Sequence, residues 1–301
     1  MTATTLRFAG GAQGFNWLPV FVAEERGLFA ARGLNVELLR LGSVEKATSA
    51  VRDGSADLAI TPPEGAIADY LAGGSLRVIA SNSERLPMSL VARPGITELV
   101  SLRGKRIGTS SLTEGTSMYT RRMLAAVGLH YPADYDFVFA GVHTGRWAAL
   151  QNDEIDAAPQ PAPWNFLAER AGYEILGEVA DTLPEIVFAG VIGSAPWLDD
   201  NGDTVGRLVA ALSEAHDFVN DPANDGVSVP IYQRVTTPDD PELARRGFEY
   251  TRDLGMWPAG LRVSADALTV NIDVMIEAGL MSPDQRAAAA GVFDPRFTEI
   301  G

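Results

Sequence analysis

The sequence predicts a two-lobe α/β protein. Each lobe is a mostly parallel sheet flanked by helices, with a ligand cleft between the lobes. Three observations carry this. Short apolar strands alternate with helical segments through residues 1–91. A second β/α series opens near Ile96, after the Pro94 and Gly95 break. An apolar strand without helical spacing, residues 186–192, then precedes a tail that is helical in character from Pro196. Alternating strands and helices specify parallel sheets covered by helices.

Residues 5–9 form a brief apolar, β-branched run that ends at Gly10 and Gly11 and reads as a strand. The loop after it holds Gly10, Gly11, Gly14 and Asn16. Glycines there let the backbone turn tightly and approach a ligand. Asn16 suits a helix N-cap, and Pro19 is tolerable in the first turn. Leu18, Phe21 and Val22 then share a face. Gly27 and Gly33 break the helix, and 36–41 reads as the second strand. Residues 43–51 suit a helix with Ser43 as N-cap and Glu45 in its first turn. A strand at 57–61, a helix at 64–71 and strands at 76–81 and 88–92 follow.

In the second series, 106–109 is a strand and 110–115 a Ser/Thr/Gly loop. The next helix carries Tyr119, Met123, Leu124 and Val127 on one face and ends at Gly128. Strands are expected at 137–140, 155–158 and 173–176, with helices at 145–151 and 164–171. Three amphipathic helices follow, at 204–219, 242–252 and 265–277, and an irregular tail at 293–300.

The run PVFVAEERGLFAARGLNVELL (19–39) is followed by DGSADLAITPP (53–63), LRVIASNS (76–83), LRGKRIGTSS (102–111) and RWAALQNDEIDAAPQPAP (146–163). Together these resemble type II solute-binding proteins of the NMT1/THI5-like group, which includes sulfonate-, taurine- and nitrate-binding members. The resemblance covers roughly the first two-thirds of the chain. It implies the type II periplasmic-binding-protein fold. It also implies that strand 186–192 crosses back to the first lobe. Lobe 1 is then 1–91 and 193–301, lobe 2 is 92–192, and two crossings form the hinge. The implied ligand is a small organic molecule, and the implied partner of exported members is an ABC permease.

The chain has 301 residues, enough for proper cores. Its 24 basic and 39 acidic residues leave a net charge of −15, which argues against nucleic acid or an anionic membrane as partner. There is no cysteine, so disulfides, thiolate nucleophiles and Cys-ligated zinc are excluded. No apolar run reaches transmembrane length. The start, MTATTLRFAGG, lacks the basic and apolar regions of a secretory signal. A cytoplasmic chain is expected if Met1 is the native start, and a periplasmic or cell-surface one if an export signal was removed. His130, His143 and His216 are too scattered for a metal site, and no cofactor motif is present.

Five segments at the carboxyl ends of strands are candidates for the cleft. Gln13, Asn16 and Trp17 lie in the first, whose amides could hold an anion or merely turn the chain. Thr61 is presented by Pro62 and Pro63, while Glu64 suits stabilisation of a helix N-terminus. Outside these five, Asn82 ends its strand and is a further candidate. Ser110, Ser111, Thr113 and Thr116 precede or open a helix and suit a carboxylate, sulfonate or phosphate, although capping alone needs only one hydroxyl. His143 and Arg146 stand at a helix start. Arg146 could pair bidentately with an oxyanion or serve the helix start structurally, while a lone loop histidine is more often solvated. Trp164 and Asn165 follow two prolines. Trp164 could stack on a flat ligand opposite Trp17 or pack the hinge.

The preferred reading is a protein that binds a small organic molecule, anionic or heteroaromatic, in the inter-lobe cleft and closes by hinge motion. The alternative is a cytoplasmic decarboxylase-, lyase- or hydrolase-like enzyme on this scaffold. It would need His143 or Glu64 as acid or base, with Arg146 and the Ser110 loop holding an oxyanion. A ligand-sensing regulator is a third reading.

Overall fold

A computed structural model describes residues 3–12, 14–113 and 115–299. Gln13 lies outside the described residues. Ten strands are present: β1 (Thr4–Gly10), β2 (Leu34–Arg40), β3 (Leu58–Thr61), β4 (Leu76–Ser83), β5 (Met88–Ala92), β6 (Arg106–Thr109), β7 (Asp136–Phe139), β8 (Ala157–Pro161), β9 (Glu174–Glu178) and β10 (Ala189–Ser194). They build two five-stranded sheets, ordered β2-β1-β3-β10-β4 and β7-β6-β8-β5-β9. The order is the same in each, with the fourth place taken by a strand from the chain's passage between lobes. Those two strands are the antiparallel ones. β10 opposes β3 and β4, and β5 opposes β8 and β9. The others run in parallel, as β/α alternation requires. In β1, Leu6 and Phe8 are buried, and Phe8 sits between Leu38 of β2 and Leu58 of β3.

The lobe boundaries differ from the expected 91/92 and 192/193. β5 belongs to the second sheet and β10 to the first, so the chain crosses within 84–87 and again within 179–188. The reason is physical. Val91 and Val191 are both fully buried, and an apolar run reads alike in either sheet. Only strand pairing tells them apart. The crossings lie side by side, since the Ile186 amide donates to the Glu84 carbonyl (2.9 Å) and the Phe188 amide to the Ser83 carbonyl (2.8 Å).

Helix Val44–Arg52 is capped by Ser43 as expected, its hydroxyl accepting from the Lys46 amide at 3.2 Å. Asn16 is not an N-cap. It sits inside the 3-10 turn Phe15–Trp17, and Trp17 occupies the cap position of helix Leu18–Glu25. Pro19 in the first turn has no amide to satisfy, which lowers the need for a cap. The sequence reading also missed helix Asp225–Thr236, which contains Pro230. An interior proline costs about 3 kcal/mol. Burial of Val229, Ile231 and Tyr232 on this helix offsets that, at about 1.5–3 kcal/mol per large side chain. No described helix is long and apolar enough to cross a membrane.

Candidate functional site

The loops after β1, β3 and β6, the helix start at His143 and the second crossing meet around a cavity of about 90 Å³ between the sheets. The loop after β1 enters through Phe15, Asn16 and Trp17. Gly10 makes room for this arrangement, because a Cβ there would stand 2.3 Å from the Trp17 ring. Trp17 also leans on Phe8, with ring centroids 5.2 Å apart, so it forms the floor of the cavity. Asn82 is fully buried and does not line the cavity. Its Nδ2 donates to the Asn16 carbonyl at 2.7 Å and fixes the loop from behind.

Thr61 and Pro62 line the cavity from the first lobe. Glu64 does not reach it. Its Oε1 accepts from Asn271 Nδ2 at 2.8 Å, and burial pushes the carboxyl up to about 7. Asn271 also takes both backbone groups of Val187, its Oδ1 accepting at 3.0 Å and its Nδ2 donating at 3.1 Å. The carboxyl therefore fastens the second crossing.

In the loop after β6, the Thr109 hydroxyl donates to the Ser111 carbonyl at 2.7 Å. With that hydrogen committed, Thr116 donates across the 2.9 Å contact to Thr109, and Ser110 donates to Thr116 at 2.9 Å. Ser111 Oγ accepts from the Thr113 amide at 3.1 Å. Ser110, Gly115 and Thr116 line the cavity, whereas Ser111 and Thr113 do not. Their expected ligand role gives way to shaping the loop. Gly115 precedes helix Thr116–Ala125 at φ +60°, a region that favours glycine, and brings the helix N-terminus to the cleft.

Arg146 is 3% exposed, in helix His143–Gln151. Gly145 seats this helix, since a Cβ there would fall 2.3 Å from the Ala140 carbonyl oxygen. Arg146 Nε donates to the Pro159 carbonyl (2.8 Å) and Nη1 to the Gly141 carbonyl (3.1 Å). Among the described residues no carboxylate lies within ion-pair distance of Arg146. Burial lowers the guanidinium to about 9, so it stays charged at neutral pH. His143 is buried, not solvated. Burial, then the charges of Arg146 and Arg40, lower it to about 3 and leave the ring neutral. Near neutral pH the His143 ring is therefore neutral, and Glu64 lies outside the cavity.

Trp164 does not face Trp17 across the ligand space. It packs against His143, with centroids 4.0 Å apart and ring planes tilted by 43°, and does not line the cavity. Asn165 Nδ2 donates to Ser89 Oγ at 2.9 Å and its Oδ1 accepts from the Phe166 amide, so it anchors a helix start to β5. The rings that do line the cavity include Phe15 and Phe188, stacked at 5.9 Å, with Phe15 edge-on to His143 at 6.2 Å. The sequence reading missed both phenylalanines. Phe15 lay within a flagged loop, but only its polar neighbours and Trp17 were chosen. Phe188 lay in the crossing strand.

Two matching sheets joined by paired crossings, with a buried cation and apolar rings between them, define the two-lobe fold of the type II periplasmic-binding-protein class. The chain belongs to the NMT1/THI5-like family, whose model matches residues 14–224. It is similar to a candidate binding protein of Brucella abortus (strain 2308), 27% identical over 226 residues, which are 74% of this chain and 68% of that protein. Among solved structures it is similar to the alkanesulfonate-binding protein of Xanthomonas axonopodis pv. citri bound to MOPS, with TM-score 0.80, 16% identity and coverage of 98% and 99%. It is also similar to the periplasmic nitrate-binding protein of Synechocystis PCC 6803, with TM-score 0.74, 15% identity and coverage of 98% and 86%.

Proposed function

We propose that the protein binds a small organic anion in the inter-lobe cleft and releases it unaltered. The observation that carries this is Arg146, a buried guanidinium held among the described residues by backbone carbonyls, with no described carboxylate to balance it. An unpaired buried charge is expensive, and an incoming oxyanion offsets that cost. The Thr116 helix N-terminus adds a second attraction for negative charge. Phe15 and Phe188 then cover the apolar part of the ligand. The sulfonate and nitrate bound by structural neighbours are oxyanions, which fits this chemistry. Delivery to an ABC permease from a periplasmic location is part of this proposal, and the likeness to periplasmic and ABC-transporter binding proteins supports it.

The test is calorimetry against a panel of alkane- and aryl-sulfonates and carboxylates. Arg146→Met is expected to weaken the best ligand at least about tenfold, or 1.4 kcal/mol. Chromatography is expected to recover that ligand stoichiometrically. Unchanged affinity in the folded variant, or catalytic loss of ligand, would overturn the reading.

A further inference from the structure

A second cavity, of about 330 Å³, lies away from the cleft on the other part of helix Thr116–Ala125. Its size falls within the range of small-molecule sites. Arg121 and Arg122 enter it from that helix, in the second lobe. Val274, Glu277 and Ala278 enter from the end of helix Ala265–Glu277, which packs on the first lobe through Asn271 and Glu64. Tyr131 and Tyr135 close a third side, and His130 and Ala125 stand exposed at the rim.

Three donors around this space are buried without a hydrogen-bond partner among the described residues: Arg121 Nε, Arg122 Nη1 and Tyr135 Oη. Native proteins leave few such atoms, because each costs free energy. Tyr135 is only 2% exposed. Burial pushes its hydroxyl up to about 12, so it remains a neutral donor. Arg121 is held in place. Its Nη1 donates to the Ala278 carbonyl at 3.1 Å, and its guanidinium lies over Tyr131 at 4.6 Å and Phe137 at 5.7 Å. That leaves the Nε edge, the edge that suits a two-oxygen acceptor, without a protein partner. Arg122 stands 3.8 Å from Glu277, an ion pair too long for a hydrogen bond. Two cations line this cavity with one half-exposed carboxylate, Glu277.

We propose that this cavity is a second binding site, for a small molecule carrying an oxyanion, bridging the two lobes through Arg121, Arg122 and Tyr135. The inference is independent of what the cleft binds. All three donor residues line the same cavity, and the tyrosine rings flank whatever body the ligand carries.

The experiment is calorimetry and thermal melting of the full chain with inorganic phosphate and, separately, benzoate. Saturable binding of either probe is expected in Arg146→Met, which disables the cleft, as well as in the wild type. The arm that saturates distinguishes a free inorganic anion from an organic carboxylate. Arg121→Gln is expected to lower that affinity about tenfold. Tyr135→Phe keeps the ring and removes only an unpartnered hydroxyl, so the protein is expected to fold normally and bind several-fold more weakly. The proposal fails if neither probe binds saturably or if binding disappears in Arg146→Met. It also fails if Tyr135→Phe and Arg121→Gln both bind like the wild type.

Discussion

Arg146 and Glu64 carry opposite burdens. Arg146 stays charged in a buried place and waits for a partner from outside. Glu64 sits equally deep and solves the problem by holding a proton, with its carboxyl pushed up to about 7 from 4.5. The folded state therefore binds more protons than the unfolded state between those values. Its contribution to stability is full below about pH 4.5 and is lost as pH rises through 7. Glu64→Gln mimics the protonated form and removes this dependence. Denaturant titrations from pH 5 to 8 are expected to show the variant gaining on the wild type with rising pH, by on the order of 3 kcal/mol at most. Parallel pH curves would refute it. The role of Glu64 is not legible from sequence. The motif TPPEG places Glu64 at a helix start, and its carboxyl's partner is 207 residues away. For Arg146 the sequence shows an arginine at a helix start beside a strand end, which suits an oxyanion partner or a structural role alike, and only its burial without a described carboxylate favours the first. Phe15 and Phe188 are not legible, since an apolar ring in a loop looks like any core residue until the facing wall is known.

Elements were easier to read than their assignment to lobes. Glu64–Leu71, Met88–Ala92, Arg106–Thr109 and Ala265–Glu277 form as their apolar spacing and caps require. Spacing says which face is buried and nothing about which neighbour covers it, and this is why β5 and β10 were placed on the wrong side of the crossings. What holds the second crossing is Asn271, with three hydrogen bonds reaching Val187 and Glu64. Asn271→Leu keeps the volume and strands those groups in an apolar setting. A loss of about 2–4 kcal/mol is expected from denaturant midpoints. A loss below about 1 kcal/mol would show that the crossing is held by other means.

For the whole molecule, the sign of the far field and the sign of the site disagree. The chain carries −15, while Arg146 and a helix N-terminus wait inside the cleft. An anion must approach against the overall charge before it feels the local one. Salt screens the distant repulsion over roughly 10 Å and the buried attraction much less. The association rate of the cleft anion is therefore expected to rise between about 10 and 150 mM salt, as followed by stopped-flow. A falling rate would mean that local steering reaches into solvent and dominates.

The exchanged strands also set an order of assembly during synthesis. The second sheet is drawn from one unbroken stretch, β5 to β9, residues 88–178. The first sheet begins at residue 4, yet β4 cannot join β3 until β10, residues 189–194, arrives between them. The lobe that starts first must finish last, and the ribosome holds an incomplete sheet edge while its neighbour closes. Open strand edges are sites of mispairing, so the helices near 18–25 and 44–52 must shield β1 to β3 in that interval. Nascent chains arrested with residues 1–186 exposed are expected to resist protease through 88–178 and yield within 1–83. Release of the full chain is expected to protect both. Early protection of 1–83 would show that three parallel strands and their helices stand without the fourth and fifth.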